Sequence, residues 1–220
     1  MKMVVKVGGA VAGNAAATIL TLAAEHEVCV VHGAGPQISH EMARLGLPVE
    51  FVGGRRVTSR AALELVRSSL ARVNAQLCEA VGPRAVGLRG DEIGLTAARV
   101  PELGHVGDPV PSGPAAIELA LAQALIPVVA PVAVGPLNVN ADEAAAALAV
   151  GLGADRILFV TDVAGVLLDG AVTATLAAHD ADRLLDEGAL EGGIVPKLRA
   201  AVTAARLGVK AEIGATAVVA

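Results

Sequence analysis

Two of the chain's four lysines stand beside glycine pairs: Lys6 in Val5-Lys6-Val7-Gly8-Gly9, and Lys197 in Gly192-Gly193-Ile194-Val195-Pro196-Lys197. The same chain carries thirteen arginines, so lysine is the rarer choice wherever any surface cation would serve. A glycine-rich turn that ends a strand and opens a helix presents bare N–H groups and the positive helix end, and a nearby ammonium adds a compact point charge. Together these groups suit phosphate. Each lysine alone also fits a plainer role, Lys6 at the edge of a strand and Lys197 in the first turn of a helix.

The elements that would carry these residues alternate along the chain. Short β-branched runs at Met3–Val7, Val28–Val31, Ala85–Leu88, Ile126–Ala130, Ile157–Val160 and Ala217–Val219 predict strands buried on both faces. Alanine-rich stretches at Ala15–Glu25, Pro36–Leu45, Arg60–Val81, Pro114–Ala124, Ala141–Leu152, Asp180–Glu187 and Pro196–Leu207 predict helices. This order gives an α/β fold, a three-layer sandwich around a mainly parallel sheet. Such sheets gather ligands at the carboxyl ends of their strands, which is where Gly8-Gly9, Gly33-Ala34-Gly35 and Asp162-Val163-Ala164-Gly165 fall. Val49–Val57 and Leu95–Val110 read as hairpins or lids outside the sheet.

Composition removes several classes of function. Phe51 and Phe159 are the only aromatics among 220 residues, so the core is aliphatic and the stacking platforms of single-stranded nucleic acid binders are missing. A net charge of −5 also opposes a polyanionic partner. Cys29 falls in a strand and Cys78 on a helix with no metal-ligand spacing, which fits reduced structural thiols. No run of about 18 apolar residues and no signal-type N-terminus occurs, so a soluble cytoplasmic protein is expected. The helix Arg60–Val81 carries Leu63, Val66, Leu70, Val73 and Leu77 at 3-4-3-4 spacing. That stripe fits either a seam between two helices or a helix lying on its own sheet.

Seven strings in order resemble the amino acid kinase family over nearly the whole chain. They are Lys6-Val7-Gly8-Gly9, His32-Gly33-Ala34-Gly35-Pro36-Gln37, Gly54-Arg55-Arg56-Val57-Thr58, Gly104-His105-Val106-Gly107, Asn138-Val139-Asn140-Ala141-Asp142, Thr161-Asp162-Val163-Ala164-Gly165-Val166 and Gly192-Gly193-Ile194-Val195-Pro196-Lys197. The Gly-His-Val-Gly and Asn-Val-Asn-Ala-Asp strings favour an acetylated glutamate as substrate. The resemblance implies ATP-dependent phosphorylation of the side-chain carboxylate of N-acetyl-L-glutamate to an acyl phosphate, the second step of arginine biosynthesis. Alternatives are a kinase for another N-blocked acidic amino acid, such as a carrier-linked aminoadipate or glutamate, and a non-catalytic regulatory member of the fold.

By the same resemblance, Lys6 approaches the transferring phosphoryl group from the acid side, Lys197 from the nucleotide side, and Asp142 holds both ammonium groups. The chemistry agrees, because phosphoryl transfer to a carboxylate depends on positioning and positive charge, and the attacking acid is already ionised near neutral pH. Asp142 also suits a helix N-terminal acid. Arg56 would clasp the α-carboxylate, with Arg55 its solvated neighbour. Asn138 would contact the amino-acid moiety or brace a turn. The N–H groups of Ala34 and Gly35 would bind the γ-carboxylate end, and Gly8 and Gly9 would line the phosphoryl path. His32 reads as structural, while His105 either helps close the site or marks a plain turn. Thr161, Asp162, Val163, Ala164, Gly165 and Val166 would lie near ribose and adenine, with Gly192, Gly193 and Ile194 around the phosphates. Mg²⁺ would be held by phosphates and water, with no dedicated protein metal site.

The resemblance divides the chain into an acid-substrate lobe, residues 1–152, and a nucleotide lobe, residues 153–220. Ala34 stands where the family's turn has glycine, and a methyl group there costs about 1 kcal/mol or more if the position needs φ > 0 or a close backbone approach. The chain starts at its first strand, without the N-terminal helix of arginine-inhibited, ring-forming members, so a homodimer without arginine feedback is expected, the Arg60–Val81 helix being its candidate contact. The stretch from Lys210 to Ala220 is short against the family and lacks a helix before the last strand, which implies a smaller nucleotide lobe.

Overall fold

The structure, a computed structural model, describes residues 1–9, 15–161, 163–168 and 170–220. The first half runs β1 (Lys2–Val7), α1 (Ala16–Leu22), β2 (Glu27–His32), α2 (Gly35–Arg44), β3 (Phe51–Val52), β4 (Arg55–Arg56), α3 (Arg60–Val81) and β5 (Ala85–Arg89). There follow α4 (Gly90–Ile93), β6 (Ala97–Arg99), β7 (Val106–Pro109), α5 (Ala115–Ala122), β8 (Ile126–Ala130), β9 (Val132–Ala133), β10 (Leu137–Val139) and α6 (Ala141–Gly151). The last part holds β11 (Arg156–Val160), β12 (Leu167–Leu168), β13 (Ala171–Val172), β14 (Thr175–Ala177), α7 (Ala178–Asp186), α8 (Ile194–Arg206), β15 (Lys210–Ile213) and β16 (Thr216–Val219).

Eight strands form one sheet in the order β14-β16-β15-β11-β1-β2-β8-β5, parallel except for the terminal β15–β16 hairpin. Side chains alternate across each strand, so β1 sends Met3, Val5 and Val7 into one layer and Val4 into the other. The first layer is closed by α1, α2 and α3, the second by α5, α6 and α8. The expected three layers are therefore present. β1 and β11 lie side by side in the middle, so one sheet runs through both of the lobes read from the sequence.

The six expected strands are all found within a residue or two of their expected ends. β14 and β15 were missed because Thr175–Ala177 and Lys210–Ile213 are short, and Lys210 and Glu212 interrupt the second as outward-facing charges. The helical stretch expected at Ala15–Glu25 is reduced to Ala16–Leu22, followed by a tight turn. Both stretches expected to be hairpins pair outside the main sheet: β3 with β4, and β6 with β7 inside a four-stranded sheet, β6-β7-β10-β9.

The stripe on α3 resolves in favour of its own sheet. Leu63, Val66, Leu70, Val73 and Leu77 are all buried within the chain, so they are not a seam awaiting a second copy. Ser59 caps this helix through its side-chain oxygen, which accepts from the Ala62 N–H.

Candidate active site

Three helices point their N-termini into one cleft. α6 and α8 pack against each other, and both are rich in buried alanine, Ala144, Ala145 and Ala149 in one and Ala201, Ala204 and Ala205 in the other. Small side chains let the two helices approach closely, and this brings the start of each beside the end of β1. Asn140 caps α6, its side-chain oxygen accepting from the N–H groups of Asp142 and Glu143. The cap fixes Asp142 in the first turn, where the helix dipole favours its negative charge.

Lys6 and Asp142 are buried and paired, with Nζ 2.8 Å from Oδ1. Lys197 Nζ lies 3.9 Å from the other oxygen, Oδ2, and donates to the Gly193 carbonyl at 3.1 Å. One carboxylate thus stands between two ammonium groups drawn from the first strand and a late helix. Asp142 Oδ1 has no aligned hydrogen bond among the described residues, so its contact with Lys6 is an ion pair rather than a directed bond.

The glycine turns press together around this group. A Cβ on Gly9 would come within 3.0 Å of Gln37 Oε1 and 3.1 Å of both Ala34 Cα and the Gly33 carbonyl, so only glycine fits there without displacement. Gln37 donates from Nε2 to the Gly9 carbonyl at 3.0 Å, tying the first turn to α2. Ala34 adopts φ −141°, outside the positive-φ region that favours glycine, and its methyl belongs to the apolar cluster that includes Val7 and Ile38. The cost foreseen for a positive φ at this turn therefore does not arise.

Arg56 is buried at the end of the β3–β4 hairpin. Its Nη2 donates to Ser39 Oγ at 2.8 Å and to the Gly35 carbonyl at 3.1 Å, its Nη1 approaches Met42 Sδ, and the Phe51 ring centroid lies 4.6 Å from Cζ. Phe51 and Arg56 face each other across the hairpin, which gives a cation–π contact. Burial draws the guanidinium below its ordinary range, and these partners, Ser39, Gly35, Met42 and Phe51, are all neutral. Asn138 donates to Thr58 Oγ1 at 2.9 Å and also borders the cavity, so bracing and lining are combined.

These residues enclose a cavity of about 390 Å³, bordered by Lys6, Gly8, Gly9, Ala34, Gly35, Arg56, Asn138, Asp142 and Lys197. A second cavity of about 740 Å³ is bordered by Val163, Ala164, Gly165, Leu167, Leu190, Glu191 and Ile194. Thr161, Gly193 and Lys197 border both, so the two spaces meet beside the Lys197–Asp142 contact. Val166 and Gly192 border neither cavity. Val166 is fully buried with its N–H donating to Thr216 Oγ1, and Gly192, at φ +70°, makes the turn into α8. Asp162 lies outside the described residues.

One expectation about a neighbour is corrected. Arg55 is not a solvated twin of Arg56: it pairs with Glu143 at 2.9 Å and Asp108 at 2.6 Å, joining the hairpin to α6 and β7. Burial raises the Glu143 carboxyl above its usual range, and Arg55 opposes that shift. His105 is tied to its neighbours by its backbone, its N–H donating to the Thr58 carbonyl and its own carbonyl accepting from the Asn138 N–H. Sequence reasoning missed Ser39, Phe51 and Asn74. Asn74 carried a signal, being a polar residue inside the apolar stripe of α3; Ser39 had one too, next to Ile38 on the inner face of α2.

Residues 1–214 match the model of the Amino acid kinase family. The chain is 43% identical to the acetylglutamate kinase of Rubrobacter xylanophilus, over 96% of this chain and 87% of that one. It is 40% identical to the acetylglutamate kinase of Jannaschia sp., over 84% and 68% of the two chains. Among solved structures, smu.665 from Streptococcus mutans UA159 superimposes with a TM-score of 0.90 at 30% identity, over 99% of this chain and 98% of that one.

Proposed function

The chain belongs to the amino acid kinase family, and from that premise we propose that it transfers the γ-phosphoryl group of ATP to the side-chain carboxylate of N-acetyl-L-glutamate. The product is an acyl phosphate, the intermediate that arginine synthesis requires at its second step. The observation that carries this reading is the Lys6–Asp142–Lys197 group at the junction of two cavities.

The roles follow from charge and position. The acid occupies the smaller cavity, with its α-carboxylate on Arg56, whose buried cation meets neutral groups among the described residues and gains an anion when substrate enters. Asn138 contacts the acyl-amino portion. The N–H groups of Ala34 and Gly35, at the start of α2, receive the side-chain carboxylate. ATP occupies the larger cavity, its base against aliphatic residues such as Val163 and Leu190, its phosphates at the N-terminus of α8 beside Gly193 and Lys197.

Transfer moves negative charge from one cavity toward the other. Lys6 and Lys197 stabilise the equatorial oxygens as the charge spreads, and Asp142 keeps the two ammonium groups from drifting apart. No proton is removed, because the attacking carboxylate is ionised. Among the described residues no three His, Cys, Asp or Glu side chains form a metal cluster. Mg²⁺ would arrive on the nucleotide, held by its phosphates and water rather than by a dedicated protein site, and would add positive charge beside Lys6 and Lys197.

A homodimer in the cytoplasm is part of the proposal. A second copy can meet α3 only through its outer face, as the inner stripe is covered. Among the described residues no helix is long and apolar enough to cross a membrane.

The test is an acyl phosphate trap. The protein is incubated with MgATP, hydroxylamine and one of three acids: N-acetyl-L-glutamate, free glutamate or N-acetylaminoadipate. Hydroxamate from the first acid in clear preference is expected. Preference for the longer acid would make this a sister kinase, and no hydroxamate from any acid would leave a non-catalytic member of the fold.

A further inference from the structure

Asn74 is a buried amide on the sheet-facing side of α3, and the reaction above gives it no task. Its Nδ2 lies 2.8 Å from the Val128 carbonyl oxygen and 3.1 Å from His32 Nε2. A carbonyl can only accept, so the atom facing Val128 must be the amide nitrogen, and its two hydrogens go one to that carbonyl and one to the imidazole. His32 Nε2 is therefore an acceptor. The ring proton resides on Nδ1, which lies 3.5 Å from the Gly33 carbonyl oxygen.

The reach of this amide depends on a glycine. β5, β8 and β2 are successive neighbours in the sheet, and Asn74 meets Gly87 of the first, the Val128 carbonyl of the second and the His32 ring of the third. Gly87 on β5 leaves the room, since a Cβ there would come 2.3 Å from Asn74 Oδ1. Cys78 completes the group, its thiol 3.7 Å from the same oxygen.

The consequence lies one residue beyond His32. The Gly33 carbonyl and the Ala34 N–H belong to one planar trans peptide and point in opposite directions. A Gly33 carbonyl turned toward the Nδ1–H aims the Ala34 N–H away from the ring, and Ala34 borders the smaller cavity. At 3.5 Å the contact is long, so it biases the orientation of the peptide rather than locking it.

We infer that Asn74 is a positioning residue for the acid substrate: by holding His32 in its Nδ1–H tautomer, it sets the peptide that presents the Ala34 N–H to the side-chain carboxylate. This rests on the reading of the Gly33–Gly35 turn as the acid-binding turn. Burial supports it, pushing the imidazole down to about 4, so near neutral pH the ring is uncharged and its tautomer is the variable that remains.

Nitrogen-15 NMR of the full ligand-free chain reads the His32 tautomer and the Ala34 amide directly, and steady-state kinetics read the consequence. Wild type should show the Nδ1–H form. Asn74→Asp replaces the donor with a group that only accepts, so the proton should move to Nε2 and the Ala34 amide resonance should shift. The KM for N-acetyl-L-glutamate should rise about tenfold while that for ATP stays within about twofold, the scale of one misdirected hydrogen bond. Gly87→Ala displaces the same amide without altering its chemistry and should act in the same direction.

An Nε2–H form in the wild type overturns the inference without any variant. A tautomer switch that leaves the Ala34 resonance and the acid KM unmoved also overturns it, as does an equal change in both KM values. If Asn74→Asp does not fold, the wild-type spectrum and Gly87→Ala decide. If no acid is turned over at all, the function proposal fails, and the coupled shift of tautomer and Ala34 amide still decides the role of Asn74.

Discussion

Lys6 and Asp142, on the first strand and on a helix more than half the chain away, form a buried ion pair with Nζ and Oδ1 2.8 Å apart. Lys197 approaches the opposite oxygen of the same carboxylate. Two cations that would repel each other are thus held on one anion, in a cleft that also receives three helix N-termini. That arrangement favours an arriving anion most strongly when its charge is spread between the two lysines.

Lys6→Ala and Lys197→Ala should each lower kcat by about a hundredfold or more, the scale of removing one preorganised charge-stabilising group. They should differ in nucleotide binding. Lys197 borders the larger cavity and Lys6 does not, so calorimetry should find ATP affinity weakened in the Lys197 variant and nearly unchanged in the Lys6 variant. Near-normal turnover in both would remove them from the chemistry.

Arg55 and Arg56 are adjacent but should behave differently. Arg56→Lys turns a planar fork into a point charge and should raise the KM for the acid with a smaller change in kcat. Arg55→Ala leaves the half-buried Glu143 without its partner and should cost about 1–3 kcal/mol of stability, with the acid KM within about threefold. Urea denaturation paired with steady-state kinetics separates the two effects.

His32 should make folding stability fall in mild acid. Burial holds its pKa near 4 in the folded chain against 6.5 as the ordinary value, so between those limits the unfolded chain binds more protons. Stability is then full above about pH 6.5 and declines as pH drops, by up to about 3 kcal/mol from this group. His32→Gln should flatten that part of the urea-midpoint profile; an unchanged profile would mean that His32 is not buried as a neutral ring.

Cys29 should be chemically silent in the native protein. Burial pushes its thiol up to about 12 and raises that of the half-buried Cys78 as well, which withholds the reactive thiolate. Iodoacetamide at neutral pH, followed by mass spectrometry, should label Cys29 only once urea unfolds the chain, with Cys78 slower than a free thiol. Rapid native labelling of Cys29 would contradict its place in the core.

Much of this was legible before any coordinates, and the reasons are physical. Strands buried on both faces leave continuous β-branched runs, which is why β1, β2, β8 and β11 could be read, whereas the charged and short β15 could not. Lys6 and Lys197 announced themselves because glycine pairs accompany them, whereas Asp142 was implied by the family resemblance alone. The stripe on α3 was ambiguous, since 3-4-3-4 spacing is the same for a helix against a sheet as for a helix against a helix. Asn74 and Ser39 were passed over for a related reason: periodicity registers apolar positions and is blind to a buried amide or hydroxyl until its partner is known. The split roles of Arg55 and Arg56 depend on which side of a two-residue strand each faces, and spacing alone gives no sign of it.

A mimic of the transferring phosphoryl group puts the central claim to its most direct test. The affinity of MgADP, aluminium fluoride and N-acetyl-L-glutamate together should fall far more on Lys6→Ala than the affinity of ATP alone, because a group that works in the transition state binds that state preferentially. Equal losses for mimic and ATP, or no loss for either, would mean that Lys6 and Asp142 merely hold the fold together and that the charge in this cleft does not act on a moving phosphate.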